Sequence, residues 1–388
     1  MSRNILTLNA GSSSLKFALY ADDGERLMRG QVKGLPDNGR LEITDTTGRG
    51  AGASGDRPIT SLGAAVETVL DVLAHAGRLD SVGAVGHRVV HGGQHFSGPV
   101  QIDENARAAI EALSPLAPGH QPFALDAIHA AMARLPDAVH TASFDTAFHR
   151  TQAEVVRAYA LPAELRALGI ERYGFHGLSY DYLSHRIDDI LPEAERRRVV
   201  AAHLGNGSSL CAMKDGRSAA TSMGFTALEG LPMGTRCGSI DPGIALYLMR
   251  ERNMSVEEVE RAFYARSGLL GLSGETNDMA VLLGSERAEA AFAVSHYCHR
   301  AALGIAEMAA AIGGIDALVF AGGIGENAAP VRAAIVDQLS FLGLTIDTAR
   351  NDAHHGTIDA GTGPRVLVIP TDEEWVLRRD AASLLSGG

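Results

Sequence analysis

One short unit occurs twice in this chain, about half a chain apart, and it limits the folds open to the sequence. In the first copy, Ile5-Leu6-Thr7-Leu8 runs into the polar turn Asn9-Ala10-Gly11-Ser12-Ser13-Ser14. Lys16 and the apolar Phe17-Ala18-Leu19-Tyr20 follow, then a turn at Asp22-Asp23-Gly24. In the second copy, Val199-Val200-Ala201-Ala202-His203 runs into Leu204-Gly205-Asn206-Gly207-Ser208-Ser209. Leu210-Cys211-Ala212-Met213 follows, then a turn at Asp215-Gly216 and a strand from Arg217 to Thr221. Both read as strand, Gly-Ser turn, strand, Asp-Gly turn, strand. A duplicated unit predicts two domains of like fold. The turn chemistry suits phosphate, because backbone N–H groups and hydroxyls donate and Lys16 adds a point charge. A single Ser-rich hairpin carries little weight. Two of them predict an anionic ligand clamped between like domains.

The rest of the pattern alternates. Residues 3–44 read as a β-meander, and 45–58 as a flexible Gly-, Thr- and Ser-rich loop. Leu62, Ala65, Val66, Val69, Leu70 and Leu73 recur at helical spacing over 61–76, with Gly77 as a stop. A strand is expected at 82–90, helices at 103–113 and 121–134, and a strand at 138–143. Further on, Ser255 is the expected N-cap of a helix at 255–265, and a long Ala-rich helix is expected over 286–312. The buried strand Ala317-Leu318-Val319-Phe320 leads into a glycine loop, Gly322 to Asn327, that opens a helix to about 342. A strand at 365–369 and a terminal helix close the chain. Strands alternating with helices predict an α/β layered fold.

Charge and composition narrow the function classes. A net charge of −12 argues against a nucleic-acid or anionic-membrane surface. An anionic ligand then needs a local cationic pocket. No uncharged apolar run approaches 18 residues, so no membrane span is expected, and no signal-peptide core fits the N-terminus. Cys211, Cys237 and Cys298 are scattered with no metal-ligand spacing, which points to reduced thiols and a cytoplasmic location.

Several enzyme classes are excluded. There is no Gly-Lys pair and hence no P-loop; no HExxH, GxSxG or protein-kinase HRD set occurs. His87 and His91 flank the strand-like Arg88-Val89-Val90 and read as structural, as do Tyr173, Phe175 and Tyr180. His354-His355 lies in a polar stretch and is expected to be solvated. The arginines carry more. Arg88 sits among apolar residues and Arg236 in Met233-Gly234-Thr235-Arg236-Cys237-Gly238. A guanidinium in such settings needs an anionic partner. That partner is either a structural carboxylate, such as Asp145 or Asp241, or a phosphoryl group or carboxylate substrate. His120, between two prolines, and His176, in Tyr-Gly-Phe-His-Gly, are loop histidines able to add donors.

Taken together, these segments resemble the acetate and propionate kinase family of the actin-like, sugar-kinase-like ATPases. The resemblance rests on Ile5–Lys16, Gly86–Gly93, Phe144–His149, Tyr173–Gly177, His203–Gly207, Met233–Arg236 and Gly323–Asn327, and runs nearly end to end. It implies an α/β chain of two domains with duplicated ribonuclease-H-like fold and an interdomain cleft. One domain is expected over 1–147 with the C-terminal helix 371–388, on the acyl and metal side. The other is expected over 148–370, for nucleotide binding and dimerisation. The implied reaction is reversible transfer of the ATP γ-phosphoryl group to acetate with Mg²⁺ (or Mn²⁺), by a cytoplasmic homodimer acting on small molecules. The resemblance implies that Asn9 and Glu373 help hold the metal. It assigns catalytic roles to Arg88, His120, Asp145, His176 and Arg236. Arg88, Val90, Gly119, Phe175 and Ala227 are implied on the acid side. Ser12, Lys16, His203, Leu204, Gly205, Asn206, Gly207, Asp278, Met279, Ala280, Gly323, Ile324, Gly325, Glu326 and Asn327 are implied on the nucleotide side.

The chemistry fits those roles. A carboxylate with a pKa near ~4–5 is ionised at neutral pH, so no general base is needed. Asp145 is then better cast as an orienter of arginine or metal. The competing readings are a non-catalytic actin- or chaperone-like ATPase, which has no use for Arg88 and Arg236, and a sugar kinase, which needs a base aspartate and polar sugar contacts.

The sequence departs from the family pattern at three points. Gly119 stands where the family has Leu, Ala227 where it has Pro, and Ala280 where an Asp-x-Arg run has its arginine. The first two remove volume from the implied acyl pocket, which favours propionate or a longer acid. One methylene is worth only about 1–3 kcal/mol in such a pocket. Acyl-hydroxamate yields with acetate, propionate and butyrate should therefore fall off gently. A steep drop from acetate to propionate would refute the enlarged pocket.

Overall fold

A computed structural model of the chain describes residues 3–11, 13–45, 58–354 and 356–386. The chain forms two compact units, Met1–Phe148 with Asp372–Gly388, and His149–Thr371. The Ser12 position and most of the 45–58 loop lie outside the described residues.

In the first unit the described strands are β1 (Asn4–Ala10), β2 (Ser14–Tyr20), β3 (Arg26–Lys33), β4 (Arg40–Asp45), β5 (Val82–Val89), β6 (Val100–Gln101) and β7 (Val139–Phe144). They form one sheet in the order β4-β3-β2-β1-β5-β7-β6. The first four strands are antiparallel, while β1, β5 and β7 run parallel. Six of the seven residues of β1 are buried, as expected for a strand covered on both faces. Helices Leu62–His75 and Gln121–Arg134 cover one face, packing Val66, Val69, Leu70, Ala127 and Ala131 against Leu6, Leu8 and Val85. The C-terminal helix Glu373–Ser386 packs Ala381 against Ile5 and Ala84. That helix lies so close that a Cβ on Gly86 of β5 would stand 2.8 Å from the Leu377 carbonyl oxygen. The Ser143 hydroxyl of β7 donates to the buried Asp380 carboxylate at 2.7 Å, fixing the helix against the strand.

The second unit repeats the plan. Strands β8 (Arg198–His203), β9 (Ser209–Lys214), β10 (Arg217–Thr221), β11 (Ala317–Ala321) and β12 (Arg365–Val368) are ordered β10-β9-β8-β11-β12. β8, β9 and β10 are antiparallel, and β8, β11 and β12 are parallel. This order matches β3-β2-β1-β5-β7 strand for strand. It is the duplicated ribonuclease-H-like fold. Helix Ala288–Ala311 lays Ala290, Ala293, Tyr297, Ala301, Ile305 and Met308 along the core, at the spacing of one helical face. Small side chains there let helix and sheet approach closely. Helix Val256–Ala265 begins with a full capping box, Ser255 and Glu258 each bonding the other's backbone N–H.

Two local expectations fail. The Gly322–Asn327 stretch is a helical turn rather than a loop, and the following helix stops at Asp337. The break falls at Ala328 because Pro330 cannot continue the preceding turn. His354 is exposed, as expected, and its Nδ1 lies 3.1 Å from Arg332 Nη2 and 3.0 Å from the Glu326 carbonyl oxygen. His355 lies outside the described residues.

Buried neutral histidines give the fold an acid limit. Burial lowers His149 from 6.5 to about 4, with its Nε2–H donating to the Phe175 carbonyl. A group depressed in this way stabilises the fold fully above about pH 6.5 and progressively less as pH falls towards 4. The loss at His149 amounts to ~3 kcal/mol. NMR of histidine-labelled protein should show His149 still neutral at pH 5, while stability to denaturant falls between pH 6.5 and 4. A His149 titration at the ordinary value would refute this.

Candidate active site

In both units the candidate residues gather at the carboxyl ends of the parallel strands, where open α/β sheets place ligands. In the first unit Asn9 is next to last in β1, Arg88 next to last in β5, and Asp145 directly follows β7. Arg88 Nε and Nη2 donate to the two Asp145 oxygens at 2.9 and 2.7 Å, a bidentate fork. Its Nη1 donates to Asn9 Oδ1 at 3.1 Å and lies 3.8 Å from Glu373 Oε2. The Asn9 amide nitrogen in turn donates to Glu373 at 2.8 Å and Glu374 at 3.2 Å. The structural-carboxylate option therefore holds for Arg88, and the carboxylate is Asp145.

Burial opposes the Arg88 charge, but Asp145, Glu373 and Glu374 outweigh it and hold its pKa above the ordinary value. Burial and the neighbouring Glu373 charge push the Glu374 carboxyl up. Three carboxylates thus face one arginine, and the cluster carries excess negative charge. Lys16, paired across from Asn9 in the β1–β2 register, is exposed. The Gly11 N–H is spent on the Ser14 carbonyl at 2.9 Å, inside the hairpin itself. Val90 is buried. Gly119 is exposed, and a Cβ there would meet nothing within 4 Å. His120 occupies the N-cap position of helix Gln121–Arg134.

In the second unit His176 takes a left-handed backbone conformation, φ 56°, ahead of helix Gly177–Ile190. Its Nδ1 lies 2.8 Å from Ser209 Oγ, which also meets the Tyr180 hydroxyl at 2.5 Å. The His203 ring stacks on it with centroids 4.4 Å apart. Arg236 Nη1 donates to the Ala227 carbonyl at 3.0 Å and to Met233 Sδ at 3.5 Å. Among the described residues no carboxylate pairs with it, and burial lowers its pKa. Asp241 instead caps the Gly243 N–H. His176 Nε2 and Arg236 Nη1 converge over Gly207, at 3.3 and 3.9 Å from where a Cβ would be. Phe175 is buried behind His176.

Beside this group lies a cavity of about 370 Å³. Gly205, Asn206, Asp278, Met279, Ala280, Gly323, Ile324 and Asn327, all implied on the nucleotide side by the family resemblance, line it. Asn277, Leu283 and Ala328 line it too, and had gone unnoticed. Gly205 carries no side chain and Gly323 has open space where a Cβ would be. The other nucleotide residues expected in this unit, His203, Leu204, Gly207, Gly325 and Glu326, do not line this cavity. Leu204 and Gly325 are buried beneath it. Glu326 accepts from the Gly322 and Thr371 N–H groups. Nor do the serines of the second turn face a ligand. Ser208 bonds the Gly205 carbonyl and the Tyr297 hydroxyl, and Ser209 orients His176. Glu374 had also been passed over, although it adjoins Glu373 in sequence.

The Acetokinase family profile matches residues 4–379. The chain belongs to the acetokinase family. These enzymes are phosphotransferases with a carboxyl group as acceptor. An acetate kinase of Nitrobacter hamburgensis is 44% identical over 98% of this chain and 96% of its own length. Among solved structures, a propionate kinase of Francisella tularensis superposes with a TM-score of 0.92 at 36% identity, covering 98% of this chain and 99% of that one. The acetate kinase of Porphyromonas gingivalis superposes at 0.89 with 35% identity, covering 99% and 100%.

Removing Asp145 should cost more than a surface ion pair, because it breaks both bonds of the fork and leaves Arg88 in a partly dry site with Glu373, 3.8 Å away, as its nearest remaining counter-charge. The Arg88 side chain is 18% exposed, so the lower end of the range for broken buried pairs applies, ~3 kcal/mol. Trp375 is the single tryptophan and lies in the C-terminal helix, so its fluorescence reports this unit. Denaturant titration of Asp145→Ala should show the loss; a wild-type midpoint would refute it.

Proposed function

We propose that this chain catalyses reversible transfer of the γ-phosphoryl group of ATP to acetate, giving acetyl phosphate and ADP. The observation that carries this reading is the Arg236 guanidinium. It is half-buried, has a carbonyl and a thioether as its partners among the described residues, and stands with His176 over Gly207 beside a nucleotide-sized cavity. A buried cation without a counter-charge is costly until an anion arrives. A migrating phosphoryl group supplies that anion, and the guanidinium fork suits its planar oxygens. His176 presents Nε2 to the same place, its ring held through Nδ1. The acid is already ionised, so no base is required. Asp145, tied to Arg88 through both oxygens, orients that arginine.

Glu373, Glu374 and Asn9 offer hard oxygen donors in an anionic cluster, which suits magnesium. Among the described residues no three His, Cys, Asp or Glu side chains are grouped so as to hold a metal by themselves. A cation here would keep water and phosphate oxygens as most of its shell, as magnesium does. When bound it neutralises charge on the phosphates.

The reading assigns acid and metal to residues 1–147 with 371–388, and nucleotide binding and dimerisation to 148–370. A homodimer is supported by helix Gly243–Glu251, which is apolar yet has no buried residue; Leu246 and Tyr247 are each 48% exposed. The unpaired cysteines fit a cytoplasmic enzyme, and no described helix is long and apolar enough to cross a membrane. Propionate is the second reading, favoured by the open space at Gly119 and the likeness to the Francisella propionate kinase.

The purified chain with ATP, magnesium and acetate should yield acetyl phosphate, trapped as the hydroxamate. Arg236→Ala and Arg88→Ala should each lower turnover by ~100-fold or more, the scale of losing a preorganised charge at the reacting group. Absence of any acyl phosphate from acetate, propionate or butyrate would overturn the proposal, and wild-type rates in the variants would overturn the roles of the arginines.

A further inference from the structure

Arg236 is held by one carbonyl, that of Ala227, on the segment 222–230. What fixes that segment is a cage built from a different part of the chain. Arg172 donates through Nη1 to the Met223 carbonyl at 3.0 Å, and more weakly to those of Ser222 and Thr221 at 3.3 and 3.4 Å. Its Nη2 donates to Glu229 Oε1 at 2.6 Å. Tyr159 donates its O–H to Glu229 Oε2 at 2.5 Å and accepts the Phe225 N–H at 2.9 Å. The Arg172 guanidinium also lies over the Tyr159 ring, 5.4 Å from its centroid. The Tyr173 and Gly174 N–H groups both donate to the Gly224 carbonyl, at 3.0 and 3.3 Å. A Cβ at position 224 would overlap Glu229 Oε2 and the Tyr159 hydroxyl, so a larger residue there would push this pair aside.

A half-buried tyrosine and an ion pair thus hold one short run, of which Met223 and Gly224 are buried. Glu229 is the centre: one oxygen holds Arg172 and the other holds Tyr159, and through them both flanks of Gly224 are fixed. The next residues, Phe225 to Ala227, end in the carbonyl that receives Arg236.

We propose that Tyr159, Arg172 and Glu229 are positioning residues that set the placement of Arg236, and so turnover, and of the Ala227 wall, and so the affinity and size preference for the acid. None of the three needs to touch substrate. The proposal rests on the acetate-kinase reading for its consequence, but the placement of Arg236 can be measured without it.

Tyr159→Phe removes only the hydroxyl, and Glu229→Gln keeps shape while removing the charge. Each breaks hydrogen bonds to an ionised group, worth about tenfold in an equilibrium. Two readouts separate the ideas. Phenylglyoxal labelling of Arg236, followed by peptide mass spectrometry without substrate, should speed up several-fold in both variants. The KM for the acid should rise about tenfold while the KM for ATP stays within about twofold, and the propionate-to-acetate ratio should shift. If the wild-type chain makes no acyl phosphate but labelling still responds, the functional reading falls and the cage stands. If the wild type is active and both variants keep its Arg236 labelling rate, acid KM and acid ratio, the cage is overturned. A lowered thermal midpoint with all three unchanged reduces the network to a fold contact and equally overturns it.

Discussion

An arginine kept away from water must be neutralised, and the two central arginines of this chain meet that requirement in opposite ways. Arg88 is neutralised within the fold: Asp145 takes two of its donors and Asn9 a third, with Glu373 close by. Arg236 is left with a carbonyl and a sulfur. The first arrangement stabilises the unit that contains it. The second leaves a site of positive potential that an anionic group relieves. The two pKa values move accordingly: the carboxylates around Arg88 outweigh its burial and raise it, while burial lowers that of Arg236 for want of one. Only Arg236 retains most of its unspent binding energy for a ligand.

Much of this could be read from the chain before any coordinates. The duplicated strand–turn–strand unit foretold two sheets with the same strand order, because alternation and Gly-Ser or Asp-Gly turns are local properties. Strand and helix positions followed from apolar spacing, and the Ser255 cap from one residue in front of a helical run. The places where reading failed share a cause: they depend on what lies across the fold. Ser208 and Ser209 are indistinguishable in sequence from Ser13 and Ser14. Their hydroxyls turn inward because Tyr297, Tyr180 and His176 are there to receive them. The Gly322–Asn327 stretch looks like a loop by composition, yet winds into a helical turn. Its Gly325 and Glu326 carbonyls are held by the buried Arg332.

The partners of arginines were legible only as a choice. Asp145 and Asp241 were both plausible carboxylates by sequence neighbourhood. Register decided between them. Asp145 follows β7, the strand beside β5, so it emerges next to Arg88. Asp241 precedes a helix and spends its oxygen on the Gly243 N–H. A carboxylate near a helix start has a local partner available and seldom reaches across the fold.

The same logic explains why the residues that shape the second unit's site are not those that motif comparison brings forward. Motifs single out groups that meet a ligand, such as His176, Arg236 and the glycines at 205, 207 and 323. Glu229, Tyr159 and Arg172 meet only one another and the backbone. Yet an arginine whose anchors among the described residues are one carbonyl and one thioether is only as well placed as the segment that supplies them. Electrostatic stabilisation of a transferring group depends on donors fixed before the reaction begins, since any reorientation at that moment adds to the barrier. A buried charge left unpaired by its own neighbours therefore requires rigid support from further away, and in this chain that support is itself an ion pair.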